Sequence, residues 1–220
     1  MLKTNYRRKN CRDVFNAFLV TLSQYSGFYE FPNIYPTYWI PNKLIPFSKA
    51  ISCTNKNQWV HFYEDDYLFE RIWRNPKRYL EILREYNGVI LPDFSVYRDM
   101  PYVMQLWNIY RSRAIGSWLQ MQGIKVIVNI RYADQRTYKR CCDGISQHCV
   151  IAVGTHGTIK NKADRQFFSE GLDVIVKTLK PIRIVVYGAA PDSIFAKYKQ
   201  QGIEILQFDS DYSISHREVK

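Results

Sequence analysis

Apolar positions along this chain fall into short unbroken runs separated by longer stretches of helical character. The runs at residues 59–63, 88–91, 125–130, 149–153, 182–187 and 203–208 are predominantly apolar, with only isolated polar residues, and do not alternate strictly. That is the pattern of strands buried on both faces, the habit of parallel sheets covered by helices. Between the runs, residues 64–74, 76–86, 99–122, 134–140, 163–179 and 192–200 read as helices. Asn75 precedes Pro76 as an N-cap precedes the first helical residue, while Asp99 opens the longest helix and Gly123 closes it. On that helix Met100, Val103, Met104, Trp107, Tyr110, Ala114, Trp118 and Met121 form one apolar stripe. Each crossover holds a helix within about 15–30 residues, a connection suited to parallel strands and not to hairpins. The chain therefore reads as α/β, with a mostly parallel sheet of about five or six βα units. The sheet is either open and doubly wound or an incomplete barrel.

The start of the chain departs from this rhythm. Pro32, Pro36, Pro41 and Pro46 stand among Tyr35, Tyr38 and Trp39, which predicts an extended aromatic arm packed on the domain. The expected organisation is a basic N-terminus with that arm over 1–46, a single α/β domain over 47–209, and a polar tail over 210–220. Residues 14–22 are apolar behind a basic start, but large aromatics follow where a leader would place small residues. No apolar run reaches the roughly 18–20 residues a bilayer span needs. A cytoplasmic protein with no membrane partner is expected. The five cysteines, Cys11, Cys53, Cys141, Cys142 and Cys149, are odd in number and two are adjacent, which argues for reduced thiols.

Charge adds a functional hint. The formal net charge is +11, which attracts nucleic acid or phosphate-bearing ligands, although excess Lys and Arg also simply keep a protein soluble. Both parallel architectures place ligands at the carboxyl ends of their strands, so the residues that follow each strand are the candidates. Asp93 is the candidate acid/base carboxylate. Asp99 is either a second one or a helix cap. Ser95, Arg98, Asn108, Arg111, Asn129, Arg131, Gly154, Thr155, Gly157, Tyr187 and Gly188 are the candidate ligand-binding residues. Arg111 lies on the apolar stripe of the long helix, and a buried guanidinium must be paired. Asp93 or Asp99 is its expected partner, either as an anion clamp or as a tie between helix and strand.

The run from Gly154 to Lys160 has the glycines, hydroxyls and lysine of a phosphate-cradling loop without the Walker spacing, and it contains His156 as a further acid/base candidate. Cys141, Cys142, His148 and Cys149 lack the paired spacing of a zinc site. His61 with Glu64, Asp65 and Asp66 forms a second polar knot. No metal set and no cofactor is specified.

Several short motifs together resemble a known family. They are Leu44-Ile45-Pro46-Phe47, His61-Phe62, Phe69-Glu70, Pro76 with Tyr79, Pro92-Asp93-Phe94-Ser95, Tyr97-Arg98-Asp99-Met100-Pro101, Asn108, Tyr110-Arg111, Arg113, Gln120, Gly123 to Ile127, Asn129, Arg131, Asp143-Gly144-Ile145 and Tyr187-Gly188. The stretch they cover is similar to the domain-of-unknown-function family numbered 4417, found mainly in phages, plasmids and other mobile elements. Val128 and Tyr132 stand where that family commonly has proline and tryptophan, and Thr158 where it commonly has cysteine. The resemblance implies a phage or plasmid accessory protein and carries no assigned activity. Three readings stay open: action on nucleic acid or a nucleotide-like anion at the sheet rim, a non-catalytic module that engages a host or replication protein, and an enzyme acting on a small metabolite.

Overall fold

A computed structural model describes residues 13–218. The basic start of the chain, 1–12, and with it Cys11, lies outside the described residues. The first described part is a 3-10 turn, Ala17–Val20, followed by a two-stranded antiparallel hairpin of β1 (Tyr25–Ser26) and β2 (Phe31–Pro32). It buries Leu19, Val20, Phe31 and Ile34.

Seven strands then stand side by side in chain order, every pair parallel: β3 (Leu44–Pro46), β4 (Trp59–His61), β5 (Gly88–Ile90), β6 (Val126–Asn129), β7 (Val150–Gly154), β8 (Arg183–Tyr187) and β9 (Glu204–Phe208). The helices are α1 (Phe47–Ala50), α2 (Asp66–Arg74), α3 (Pro76–Arg84), α4 (Tyr102–Met121), α5 (Gln135–Tyr138), α6 (Lys162–Leu179), α7 (Asp192–Gln200) and α8 (Asp211–Glu218). An order that never reverses, joined by right-handed crossovers, puts the connecting helices on one face of the sheet. The other face curls on itself. Tyr63, just past β4, stacks on Tyr187 of β8 at 4.7 Å between ring centroids. In a flat sheet those strands would be about 19 Å apart, four spacings of about 4.8 Å. Of the two architectures open from sequence, the incomplete barrel is the one formed.

The composition of the two cores shows how the incomplete barrel buries both faces of its sheet. The outer core joins Val60, Val89, Val128, Ile151 and Ile184 to the helices. The inner one comprises Trp59, Ile90, Ile127, Val150, Ala152 and Val185, all on strands. Both faces are apolar because one meets helices and the other meets the opposite wall of the curl.

Two chain segments behave differently from expectation. Leu44–Pro46, assigned to the arm, is the first strand of the sheet; an edge strand needs one neighbour, so a terminal proline is tolerated there. Residues 211–218, assigned to a polar tail, form α8. Its first amide donates to the Tyr187 hydroxyl at 3.1 Å, and Asp211 pairs with Lys49 at 2.6 Å, so the contact joins the segments that follow the two edge strands.

Helix α4 also differs. It begins at Tyr102 behind Pro101, so Asp99 precedes the helix and does not cap it. Val103, Met104 and Trp107 of the expected stripe are exposed, and residues 111–119 are buried on every side. The buried polar groups satisfy carbonyls of the irregular segment after β5: Ser112 donates to Pro92 O at 2.8 Å, Asn108 to Ser95 O at 2.6 Å and Gln105 to Tyr97 O at 2.8 Å.

Packing near the strand ends is close. A Cβ at Gly171 of α6 would lie 2.2 Å from the ring of Tyr132, whose hydroxyl is pinned to Phe168 O at 2.8 Å. Gly171→Ala is therefore expected to destabilise the fold by about 1–3 kcal/mol through overpacking, measured as a lower urea midpoint.

Candidate functional site

Alternation along the strands sends one set of side chains into the curl, and at its C-terminal end that set turns polar. On β4 the inward series is Trp59, His61 and Tyr63; on β6 it is Ile127, Asn129 and Arg131. The Asn129 amide joins two of these strands to the end of β5. Its Oδ1 accepts from the Tyr63 hydroxyl at 3.0 Å, and its Nδ2 donates to Asp93 Oδ1 at 2.7 Å. The other oxygen of Asp93 lies 3.5 Å from Arg131 Nη1. Burial raises the Asp93 carboxyl above the ordinary value, and Arg131 and Asn129 offset this in part. Burial, reinforced by the charge of Asp93, holds Tyr63 well above the usual phenol range, so it stays a donor.

Glycine makes this arrangement possible. A Cβ at Gly154 would sit 2.9 Å from the Tyr63 ring, so the ring crosses the barrel through the space a side chain would fill. His61 packs on Tyr187 at 4.5 Å, and its Nδ1 accepts the Tyr63 amide N–H at 3.1 Å. Burial drives the imidazole down to about 3, so it is neutral at ordinary pH. The polar knot seen in the sequence is dispersed: Glu64 accepts from the Ser48 amide at 3.0 Å, Asp66 accepts from the Ser95 amide at 3.1 Å, and Asp65 is exposed.

A cleft of about 520 Å³ opens at the ends of β5, β6 and β7; Asp93 and Asn129 do not line it, and Asp93 meets it through Arg131. Arg98, Asp99, Arg131, Gly154 and Gly157 of the expected set line it. Tyr97, Tyr132, Phe167 and Phe168 supply aromatic walls. Arg98 lies over the Phe167 ring at 4.4 Å and bonds Asp164 at 2.7 Å. Asp164 and Phe167 went unnoticed in the sequence because they sit on α6, well beyond the strand end. A usable signal was Asn161, whose side chain caps the helix by accepting the Asp164 amide at 2.8 Å.

The remaining candidates are placed elsewhere. Arg111 is buried and paired, but its partner is neither Asp93 nor Asp99: Nη1 reaches both oxygens of Glu70 at 2.9 and 2.8 Å, and Nη2 donates to Asn108 Oδ1 at 2.7 Å. Through Asn108 this network holds Ser95, so these residues buttress the cleft wall from behind. The Thr155 hydroxyl donates to Ala189 O at 2.7 Å, with Gly188 (φ 106°) packed against it, which fastens the β7 and β8 loops together. Tyr187 turns its hydroxyl toward α8, and its phenol is pushed up to about 12 by burial. His156 is exposed and does not line the cleft.

Arg113 escaped the sequence reading of the site. It is 1% exposed and donates to Asn129 O at 3.2 Å and Cys141 O at 2.7 Å. It thus fixes the backbone of the residue that orients Asp93. Among the described residues no group of His, Cys, Asp and Glu is spaced to hold a metal, and no helix is long and apolar enough to cross a membrane.

Fold and cleft together define an α/β protein with an incomplete parallel barrel and a polar, aromatic-walled cleft at its C-terminal rim. The chain belongs to the family described as domain of unknown function (DUF4417), which it matches over residues 23–209. It is 34% identical over 167 residues to the Gene 1 protein of Mycobacterium phage L5, covering 74% of this chain and 72% of that protein. It is equally similar to the Gene 1 protein of Mycobacterium phage D29, of whose length the match spans 62%. No solved structure matches the chain.

Proposed function

We propose that the rim cleft binds a phosphate-bearing, nucleotide-like anion, with Arg131 as its anchor and Asp93 as the acid/base carboxylate beside it. The state of Arg131 carries this reading. Its guanidinium side chain is 21% exposed, stands 3.5 Å from Asp93, and has a buried Nε without a partner. A charge-assisted guanidinium–carboxylate bond is about 2.7–2.9 Å, so Arg131 keeps donor capacity for an incoming oxyanion. The cleft is also of the size that encloses small ligands, about 300–1,000 Å³. The 154–158 loop plays a smaller part than its composition suggests. The amides of Thr155 and Thr158 are already committed to Tyr187 O and Thr155 O at 2.9 and 3.1 Å.

Anion binding and protonation are coupled in this site. An oxyanion on Arg131 places a second negative charge beside a carboxylate whose proton affinity burial has already raised. Binding therefore draws a proton onto Asp93, and affinity falls as pH rises through the raised value. Sulfate, whose charge is constant near neutrality, is the probe for titration calorimetry. Wild-type affinity should weaken from acid to neutral pH, Arg131→Met should lose about tenfold or more, and Asp93→Asn should bind with a flat pH profile. Sulfate binding that ignores Arg131→Met would overturn the assignment.

Asp93→Asn is not expected to weaken the fold. A carboxyl raised in the folded state contributes stability that is complete below its unfolded value and lost as pH rises through the folded one. At neutral pH the substitution therefore removes a burden, and the melting temperature should hold or rise. With a nucleotide that the protein turns over, the same substitution should abolish turnover.

One observation favours a second reading, a docking module for another protein. Tyr35 and Tyr38 are each 59% exposed and Trp39 is 53% exposed, all on the arm. Capture of a partner that is lost on Tyr35→Ala with Tyr38→Ala, while sulfate binding persists, would favour it.

A further inference from the structure

We infer that the ligand of this cleft is a single nucleoside phosphate and not a running nucleic-acid strand, and that Arg98 sets this limit. The inference rests on the anion-binding reading of the cleft and narrows it.

The first support is the distribution of charge. Both guanidiniums that line the cleft face a carboxylate, Arg98 with Asp164 at 2.7 Å and Arg131 with Asp93 at 3.5 Å, and Arg136, which holds the Arg98 carbonyl, is paired with Asp134 at 2.7 Å. A polynucleotide site needs a succession of cations along the backbone track, since affinity grows with the number of phosphates neutralised. A lining in which Arg98 and Arg131 are matched by Asp99 and Asp164 offers no such track. One partly committed arginine serves one phosphate. The +11 of the whole chain does not alter this, because the surplus cations are not those lining the cleft.

The second support is shape. Arg98 belongs to the segment after β5, and Asp164 to the first turn of α6, after β7. Their ion pair therefore spans the end of β6, which lies between those strands. The Arg98 loop is itself tied down, because Arg136 Nη2 donates to Arg98 O at 2.8 Å. A strand passing through the cleft would have to cross this bridge. A monomer need not, since it enters from the open side, sets its phosphate on Arg131 and lays its base among Tyr97, Tyr132 and Phe167. Stacking on such rings suits any base.

The test compares the common deoxynucleoside 5′-monophosphates with a short oligothymidylate lacking terminal phosphates, both titrated into the full chain near physiological salt. At least one monophosphate is expected to bind about tenfold or more tightly than the oligomer, with a shallow salt dependence. Opening the bridge by Arg98→Ala, or by Asp164→Asn with the guanidinium kept, should shrink that preference about tenfold, mainly through a gain in oligomer affinity. Melting curves of both variants report whether the fold is intact. An oligomer that outcompetes every monophosphate in the wild type, with a steep salt slope, overturns the inference; so does a preference unchanged in both variants. If sulfate still binds through Arg131 in those cases, the anion site stands and the ligand class is wrong. If neither sulfate nor any nucleotide binds, the anion reading falls and this inference with it.

Discussion

Arg113→Ala is expected to destabilise the protein by about 3–5 kcal/mol, among the largest effects of any single substitution here. The guanidinium is fully enclosed and lies in no ion pair with a carboxylate among the described residues; its partners are the carbonyls of Asn129 and Cys141, at 3.2 and 2.7 Å. Burial pulls it down to about 10, so it is a cation at neutral pH in the folded and unfolded states alike. Its depressed value makes the fold lose stability from this group below about 10 and regain it above, with no pH dependence near neutrality. Alanine removes the packing and leaves two buried carbonyls without donors, each costing about 1–3 kcal/mol. Arg113→Met separates these contributions. It restores most of the volume and removes the cost of burying a charge, so what remains is the carbonyl penalty. Urea unfolding should rank wild type, Met and Ala in falling order. A methionine variant as stable as wild type would show that the two carbonyls do not depend on Arg113. Sulfate affinity should fall with stability in the alanine variant, because Asn129 loses the group that fixes its backbone.

The parallel order of the sheet was legible because each strand candidate is followed by a helix long enough for a crossover. The curl was not. Alternation between faces disappears when both faces are apolar, so nothing in 88–91 or 149–153 separates the helix-facing residues from those facing inward. Leu44–Pro46 was missed for a different reason: three residues ending in proline carry almost no strand signal until Trp59–His61 is beside them.

The site was partly legible for the same reasons. The rule that ligands gather at carboxyl ends brought Arg98, Asp99, Arg131, Gly154 and Gly157 to one cleft. Tyr63 was invisible as a member, since its place depends on the absence of a side chain at Gly154, three strands away. Arg113 was hidden by helical geometry. It lies two residues from Arg111 and so points to nearly the opposite side of α4, and no single apolar stripe can bury both. Only a helix enclosed on all sides does so, and enclosure is a tertiary property. The burial of Arg111 was readable; its partner Glu70 was not, because the two are 41 residues apart on helices whose packing the sequence does not specify.

Glu70→Ala is the second large effect, a loss of about 3 kcal/mol. The carboxylate accepts two bonds from Arg111, whose residue is 8% exposed, whose ring neighbour Phe94 lies 3.9 Å away, and whose Nε has no partner. Breaking one side of such a pair leaves an uncompensated buried charge, costing about 3–5 kcal/mol. The lower end applies because the Glu70 side chain is 27% exposed, so water reaches the vacated position. Replacing both partners, Glu70→Leu with Arg111→Met, removes the charge together with its counter-charge and should restore stability to within about 1 kcal/mol of wild type. The same pair of variants decides what Arg111 is for. If it buttresses the wall through Asn108 and Ser95, sulfate affinity should drop in the single variant and return in the double one. If stability returns and affinity does not, the guanidinium itself reaches the ligand, and the anion site is deeper than the cleft around Arg131.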